Sequence, residues 1–219
     1  MRNLFHHELK KEFQLERMIL FSDAVIAIAI TLLVIEIKIP ELHDEFTDGA
    51  FLHDLKLLVP KFVGFLISFI FIGLFWSIHH RIFGFVINYS RRLIFLNLAF
   101  LFSIALMPFS NGIYGEYSGP RTVNMTSPVI IYNLNIIFTA LMSLLIWLYV
   151  CNPRNKVSED IPEIIRKNFK RRLIIIVAVF LLSMIVALFN PVLARYIYII
   201  IPVIMRIATK KLPKEALNS

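Results

Sequence analysis

Cysteine is almost missing from this chain of 219 residues, and the one present, Cys151, excludes an intrachain disulfide, a CxxC pair and any metal site built from several thiolates. Charge is scarce as well. Only 17% of residues are Asp, Glu, Lys or Arg against 58% hydrophobic, and the mean hydropathy is +0.74, too apolar for a water-soluble enzyme domain. Acidic residues number 15 against 23 basic ones. In a soluble protein that imbalance would suggest nucleic acid, but here the Lys and Arg gather between apolar runs, so no nucleic-acid partner is expected. A cleavable leader is also not expected. The first apolar run follows a charged stretch, His6 to Arg17, and no small-residue cleavage site follows it.

What the chain does contain is six apolar runs: residues 18–39, 57–80, 93–111, 128–150, 173–189 and 191–208. Runs of this length with so few charges suit the hydrocarbon of a bilayer, where only segments that satisfy their own backbone can span. The expected fold is therefore all-α and polytopic. It has an N-terminal segment 1–17, a six-helix transmembrane domain 18–209 and a tail 210–219. Asn190-Pro191 breaks the fifth run from the sixth, because proline opens a helix and disfavours helical geometry in the residue before it. Arg195 interrupts the sixth run and is expected to snorkel to the headgroups.

The basic residues also orient the chain. The segment to Arg17, the loops after runs two and four, and the tail hold 18 Lys and Arg on one side, against five on the other: Lys38, Lys56, Lys61, Arg121 and Arg195. The positive-inside rule then places both termini in the cytoplasm of a multi-pass plasma (inner) membrane protein. The first outer loop is acidic, with Glu36, Glu41, Asp44, Glu45, Asp48 and Asp54. It reads as a solvated loop or as a local negative potential that concentrates cations. Tyr114, Tyr117, Tyr132, Trp147 and Tyr149, near run ends, are expected to be interfacial anchors.

Polar groups inside the first run carry the chemistry. An aspartate buried at mid-helix costs roughly 2.5 to 3.5 kcal/mol on insertion scales, so Asp23 needs partners. Depth names them: run two ends with Trp76, His79 and His80, and run three places Asn97 about a turn and a half in. The expected cluster is Arg17, Ser22, Asp23, Trp76, His79 or His80, and Asn97, either structural glue or a regulator. On the helical wheel, Ala24, Ile28, Thr31, Leu32 and Ile35 share another stripe. That stripe is either ordinary helix packing or, repeated around an axis, a hydrophobic pore lining.

Arg17-x-x-x-Phe21-Ser22-Asp23, then an Ala/Ile-rich stretch and Thr31-Leu32, resembles the signature first helix of the transmembrane protein 175 potassium channels, in particular their single-repeat prokaryotic members. Trp76, His79-His80, Asn97 and the six-run layout extend the resemblance over most of the chain. It implies a homotetramer whose first helices line a central pore without a selectivity-filter loop. It further implies a constriction at Ile28, with Leu32 and Ile35 further out and a threonine layer at Thr31. The implied function is passive conduction of potassium in preference to sodium. Potassium ions, lipid and three further copies of the chain are then the partners, with no cofactor, no fixed metal site and no enzymatic activity. A ring of isoleucines offers no ligand to replace water, so selectivity would rest on how readily each ion's hydration shell distorts, or else on Thr31 oxygens.

The alternative is a proton- or cation-coupled transporter titrating Asp23 with His79 or His80. Run one holds neither Gly nor Pro, and no inverted repeat is visible, so the usual unwound midplane site is not expected. The doublets His6-His7 and His79-His80 lack an HExxH or Cys context that would suggest a membrane metalloenzyme.

Overall fold

The structure is a computed structural model that describes residues 2–39 and 47–201. Eight α-helices carry it: α1 Arg2–Leu32, α2 Asp48–Leu57, α3 Val59–Phe83, α4 Arg91–Ala105, α5 Met107–Glu116, α6 Thr126–Val150, α7 Glu163–Ala187 and α8 Pro191–Tyr196. No named strand occurs among the described residues; an isolated bridge joins Val86 to Ser158.

Proline sets two of the helix breaks. At position 108 the ring would meet the carbonyl of Ile104 and no N–H is available, so run three divides into α4 and α5 at Leu106. Pro60 divides α2 from α3 at Leu58 in the same way. Caps set three helix starts. The side chains of Thr47, Ser90 and Asn190 accept the backbone N–H of Ala50, Leu93 and Leu193, each meeting one otherwise unpaired donor of a first turn.

Four helical segments are long and apolar enough to cross a membrane: Glu12–Glu36, Val59–Phe83, Arg91–Glu116 and Thr126–Val150. The fifth run lies in α7, which begins ten residues before the apolar stretch and carries Lys170, Arg171 and Arg172 within it. The sixth run opens as α8 and the 3-10 turn Ile197–Ile200. Its remainder, and the tail, lie outside the described residues, as do Glu41, Asp44 and Glu45 of the outer loop.

Helix α6 is the hub, packing against α7, α4, α5 and α3, while α1 lies against α3 and α4. Trp147, Tyr132, Phe75, Phe100 and Phe180 are among the large side chains fully enclosed in the core. The aromatic residues near the run ends therefore divide in a way the sequence did not suggest. Tyr117 is exposed, but Tyr114, Tyr132 and Trp147 are buried, because neighbouring spans offer each polar tip a partner. Tyr132 bonds Ser68, and Trp147 Nε1 donates to the Arg166 carbonyl at 3.2 Å. Arg195 is buried too, its guanidinium over the Tyr114 ring, 4.7 Å from its centroid, and donates to Ser118 Oγ and the Tyr117 carbonyl.

Candidate functional site

The register of α1 is set by four side chains spaced 4, 3 and 4 residues apart: Ser22, Ile26, Ala29 and Leu33 are all buried. That spacing is one helical face, and small Ala29 lets the neighbouring helices approach. At the polar end of this face, Asn97 of α4 forms the centre of a relay. Its Nδ2 donates to Ser22 Oγ at 2.8 Å, and Ser22 donates onward to the Met18 carbonyl at 2.8 Å. His79 Nε2 lies 2.8 Å from Asn97 Oδ1. An amide oxygen only accepts, so His79 carries its proton on Nε2 and donates. The His79 ring is stacked between Phe83 and Phe100, at 4.2 and 5.1 Å, which fixes its orientation.

Asp23 turns to a different partner. Its Oδ1 accepts the indole N–H of Trp76 at 3.0 Å. Trp76 stacks in turn on His80 at 5.6 Å. A cleft of about 400 Å³ opens beside this pair, lined by Ile26, Ala27, Ile30 and Gly73 as well. The structure thus brings Ser22, His79 and Asn97 into one buried chain and Asp23, Trp76 and His80 into a second, more exposed one. Arg17 and Phe21 join neither. Arg17 is exposed, 5.6 Å from the centroid of the Phe13 ring, and Phe21 is exposed too.

The opposite face of α1, and of the 3-10 turn Leu33–Glu36 that continues it and carries Leu33 and Ile35, is bare. Ala24, Ile28, Thr31, Leu32 and Ile35 are exposed, Ile28 by 59%, Leu32 by 41% and Ile35 by 67%, whereas Leu33 between them is at 0%. The Thr31 hydroxyl points its proton back along the helix, 2.8 Å from the Ile28 carbonyl and 3.1 Å from that of Ala27. With the proton so occupied, the oxygen's lone pairs remain free to face outward.

Beyond α1 the bundle holds polar residues that sequence reading missed. Ser68 donates to Asn111 at 2.8 Å and therefore accepts from Tyr132 at 3.0 Å. Asn133 donates to Ser183 at 2.9 Å and accepts from Tyr198 at 2.6 Å. Each is a polar residue within an apolar run, costly to bury unpaired. That is the signal that could have found them.

Fold and site together define a helical membrane protein whose first helix is tied to the bundle by one face and leaves the other uncovered. The chain is similar to the TMEM175 family over part of its length. The family model described as endosomal/lysosomal potassium channel TMEM175 matches residues 17–108, the stretch that contains every residue of this site. A protein of Chryseobacterium sp. named as a potassium channel is 29% identical over 195 residues, 89% of this chain and 94% of that one. A potassium channel of Streptomyces collinus is 34% identical over 127 residues, 58% of this chain and 60% of its own length. The human endosomal/lysosomal proton channel TMEM175 is 32% identical over 110 residues, only 22% of that protein. Among solved structures, the lysosomal potassium-selective channel TMEM175 homolog from Chamaesiphon minutus shares the fold, with a TM-score of 0.74 at 23% identity, over 90% of this chain and 99% of that one.

Proposed function

We propose that this protein is a passive cation channel of the cell membrane that favours potassium over sodium, with a pore formed by the bare faces of α1 from four copies. The observation that carries the reading is the two-sidedness of α1. The buried polar relay fixes one face to the subunit, and the same rotation presents Ala24, Ile28, Thr31, Leu32 and Ile35 outward as a continuous stripe. Around a four-fold axis the stripe becomes stacked apolar rings with one ring of hydroxyls, a constriction that gates by excluding water. The potassium-channel names of the bacterial relatives support the same reading. Six spans per subunit and cytoplasmic termini complete it.

A coupled transporter would need Asp23 and a histidine to share a proton. The bonded partner of Asp23 is Trp76, and His79 bonds Asn97, so Asp23 and His79 share no direct hydrogen bond, and α1 is continuous to Leu32, which favours the channel reading.

The test is ion flux through purified protein in liposomes, under potassium, caesium, sodium and proton gradients, with Ile28→Asn alongside. Electrogenic flux that ranks potassium above sodium, and that Ile28→Asn enlarges or makes less selective, is expected. Flux that follows only the proton gradient, or that Ile28→Asn leaves unaltered, would refute the potassium pore on α1. Mass in mild detergent should be that of four chains; a monomer that still conducts would refute the assembly.

A further inference from the structure

Away from α1, the end of the bundle that carries the N-terminus holds a pair of arginines without acidic partners. Phe71 of α3 meets Phe180 of α7 edge-on at 5.2 Å. Further along, the guanidinium of Arg172 stands within electrostatic reach of that of Arg81. The order 71 to 81 on α3 thus runs against 180 to 172 on α7, so the two helices are antiparallel. Both pack on α6 and touch each other through Phe71 and Phe180, so the space between them beyond that contact forms an interhelical cleft. The described ion pairs are Lys61–Glu116 and Lys167–Glu163, so among the described residues neither Arg81 nor Arg172 is paired with a carboxylate.

Two like charges held together at the edge of an apolar run are unfavourable, and a helix bundle need not keep them unless something neutralises them. Arg172 is half-buried and directly precedes the apolar stretch that begins at Leu173, which puts it at the boundary between headgroups and hydrocarbon. Arg81 is exposed at the corresponding end of α3. On the outward side of the pair, Leu74 of α3 and Ile175 of α7 are half-buried apolar side chains, and Ser77, between Leu74 and Arg81 on the same face of α3, is exposed. A planar guanidinium offers two parallel N–H donors that match a phosphate bidentately. The cleft therefore presents donors for a phosphate at one end and apolar walls for an acyl chain beyond it.

We propose that the α3–α7 cleft binds an anionic phospholipid of the leaflet on the N-terminal side, its phosphate bridging Arg81 and Arg172 and its acyl chain lying along Leu74 and Ile175. The positive-inside distribution makes that leaflet the cytoplasmic one, where anionic headgroups attract basic clusters between spans. The site is independent of the pore reading, because it lies on α3 and α7.

The test uses the purified full-length protein in neutral detergent, with melting followed on adding phosphatidylglycerol, phosphatidylcholine of the same chains, or inorganic phosphate. Phosphatidylglycerol is expected to raise the melting temperature where phosphatidylcholine does not, by the mass action of a ligand that binds only the folded form. The difference should largely vanish in the double variant Arg81→Gln/Arg172→Gln. It should persist in the double variant Arg154→Gln/Lys156→Gln, which removes an equal charge from exposed positions of the 151–162 connection. Equal shifts with both lipids, a shift retained by the double variant, or a shift reproduced by inorganic phosphate alone would each overturn the proposal. If the double variant does not fold, photo-crosslinking of wild type with a phosphatidylglycerol probe decides. Labels confined to residues 74–83 and 170–178 support the site, and labels spread evenly over the lipid-facing helices refute it.

Discussion

Replacing Asn97 by alanine removes two hydrogen bonds at once, the one it donates to Ser22 and the one it accepts from His79, each 2.8 Å long and each joining different segments. Hydrogen bonds between helices inside a bilayer are worth about 0.6 kcal/mol on average and up to about 1.7 kcal/mol, so the pair should contribute about 1 to 3 kcal/mol. A loss of about 2 kcal/mol lowers the folded-to-unfolded ratio about 30-fold. The measurement is the folded fraction in mild detergent against temperature or denaturant for wild type, Ser22→Ala, Asn97→Ala and the double variant. Ser22 keeps its bond to the Met18 carbonyl when Asn97 is lost, so the coupling in the cycle isolates the Ser22–Asn97 bond, at about 0.6 to 1.7 kcal/mol. Asn97→Leu refills the volume without the bonds and should remain destabilised, because the buried His79 N–H then has no acceptor. A coupling within about 0.3 kcal/mol of zero would refute the claim that this relay fixes α1 to α4.

Arg195→Ala should destabilise by about 2 to 3 kcal/mol, since it deletes charged-donor bonds to Ser118 and the Tyr117 carbonyl and the cation over Tyr114; thermal melting checks this, and an unchanged midpoint would contradict it. At Gly112, an added Cβ would stand 2.9 Å from Glu36 Cδ, with its carboxylate oxygen closer still. Because Glu36 is exposed and flexible, Gly112→Ala should displace its carboxylate at a cost under about 1 kcal/mol. On the pore reading the same change should lower cation current mainly at low salt, where a mouth charge is least screened, and an equal loss at high salt would argue against that role. Burial pushes the Cys151 thiol up to about 11. Iodoacetamide at pH 8 should therefore react about tenfold more slowly than with free cysteine, a lower thiolate fraction being partly offset by higher nucleophilicity. The rate should climb as pH approaches 11. The linkage has the matching sign: a raised thiol pKa favours the folded state below the unfolded value, and that contribution falls as pH rises through the folded value.

Helix placement was largely legible because apolar runs of membrane length leave the backbone little choice. The depth argument that put Ser22, His79 and Asn97 at one level needed only rise per residue and alternating chain direction, and these three do meet. Which histidine takes part was not legible, since adjacent residues differ by a rotation that only packing decides. His79 turns into the core between Phe83 and Phe100, and His80 turns out onto Trp76. Arg17 looked like a counter-ion for Asp23 on charge alone, yet a long exposed side chain has water available, and the indole N–H gives the carboxylate a fixed donor instead. The Ser68 and Asn133 relays were hidden because polar residues scattered singly over distant helices form no local pattern.

The bare stripe on α1 follows from the same constraint that buries its other face. Ser22, Ile26, Ala29 and Leu33 advance by 4, 3 and 4 residues, so the buried line stays in contact with α3 and α4 over three turns and α1 cannot rotate without breaking both the Leu33 packing and the Asn97 relay. Ala24, Ile28, Thr31, Leu32 and Ile35 are what that fixed rotation leaves uncovered. Changing the polar relay should therefore reach the stripe mechanically. A helix freed to turn by one residue, 100°, would swing Ile28 off the face where Thr31 and Leu32 now flank it and bring Ala29 in its place, exchanging a large side chain for a small one on the exposed stripe. On the proposed pore reading, the buried polar residues and the exposed apolar ones would form a single device, in which hydrogen bonds to Asn97 determine which side chains face the ion path.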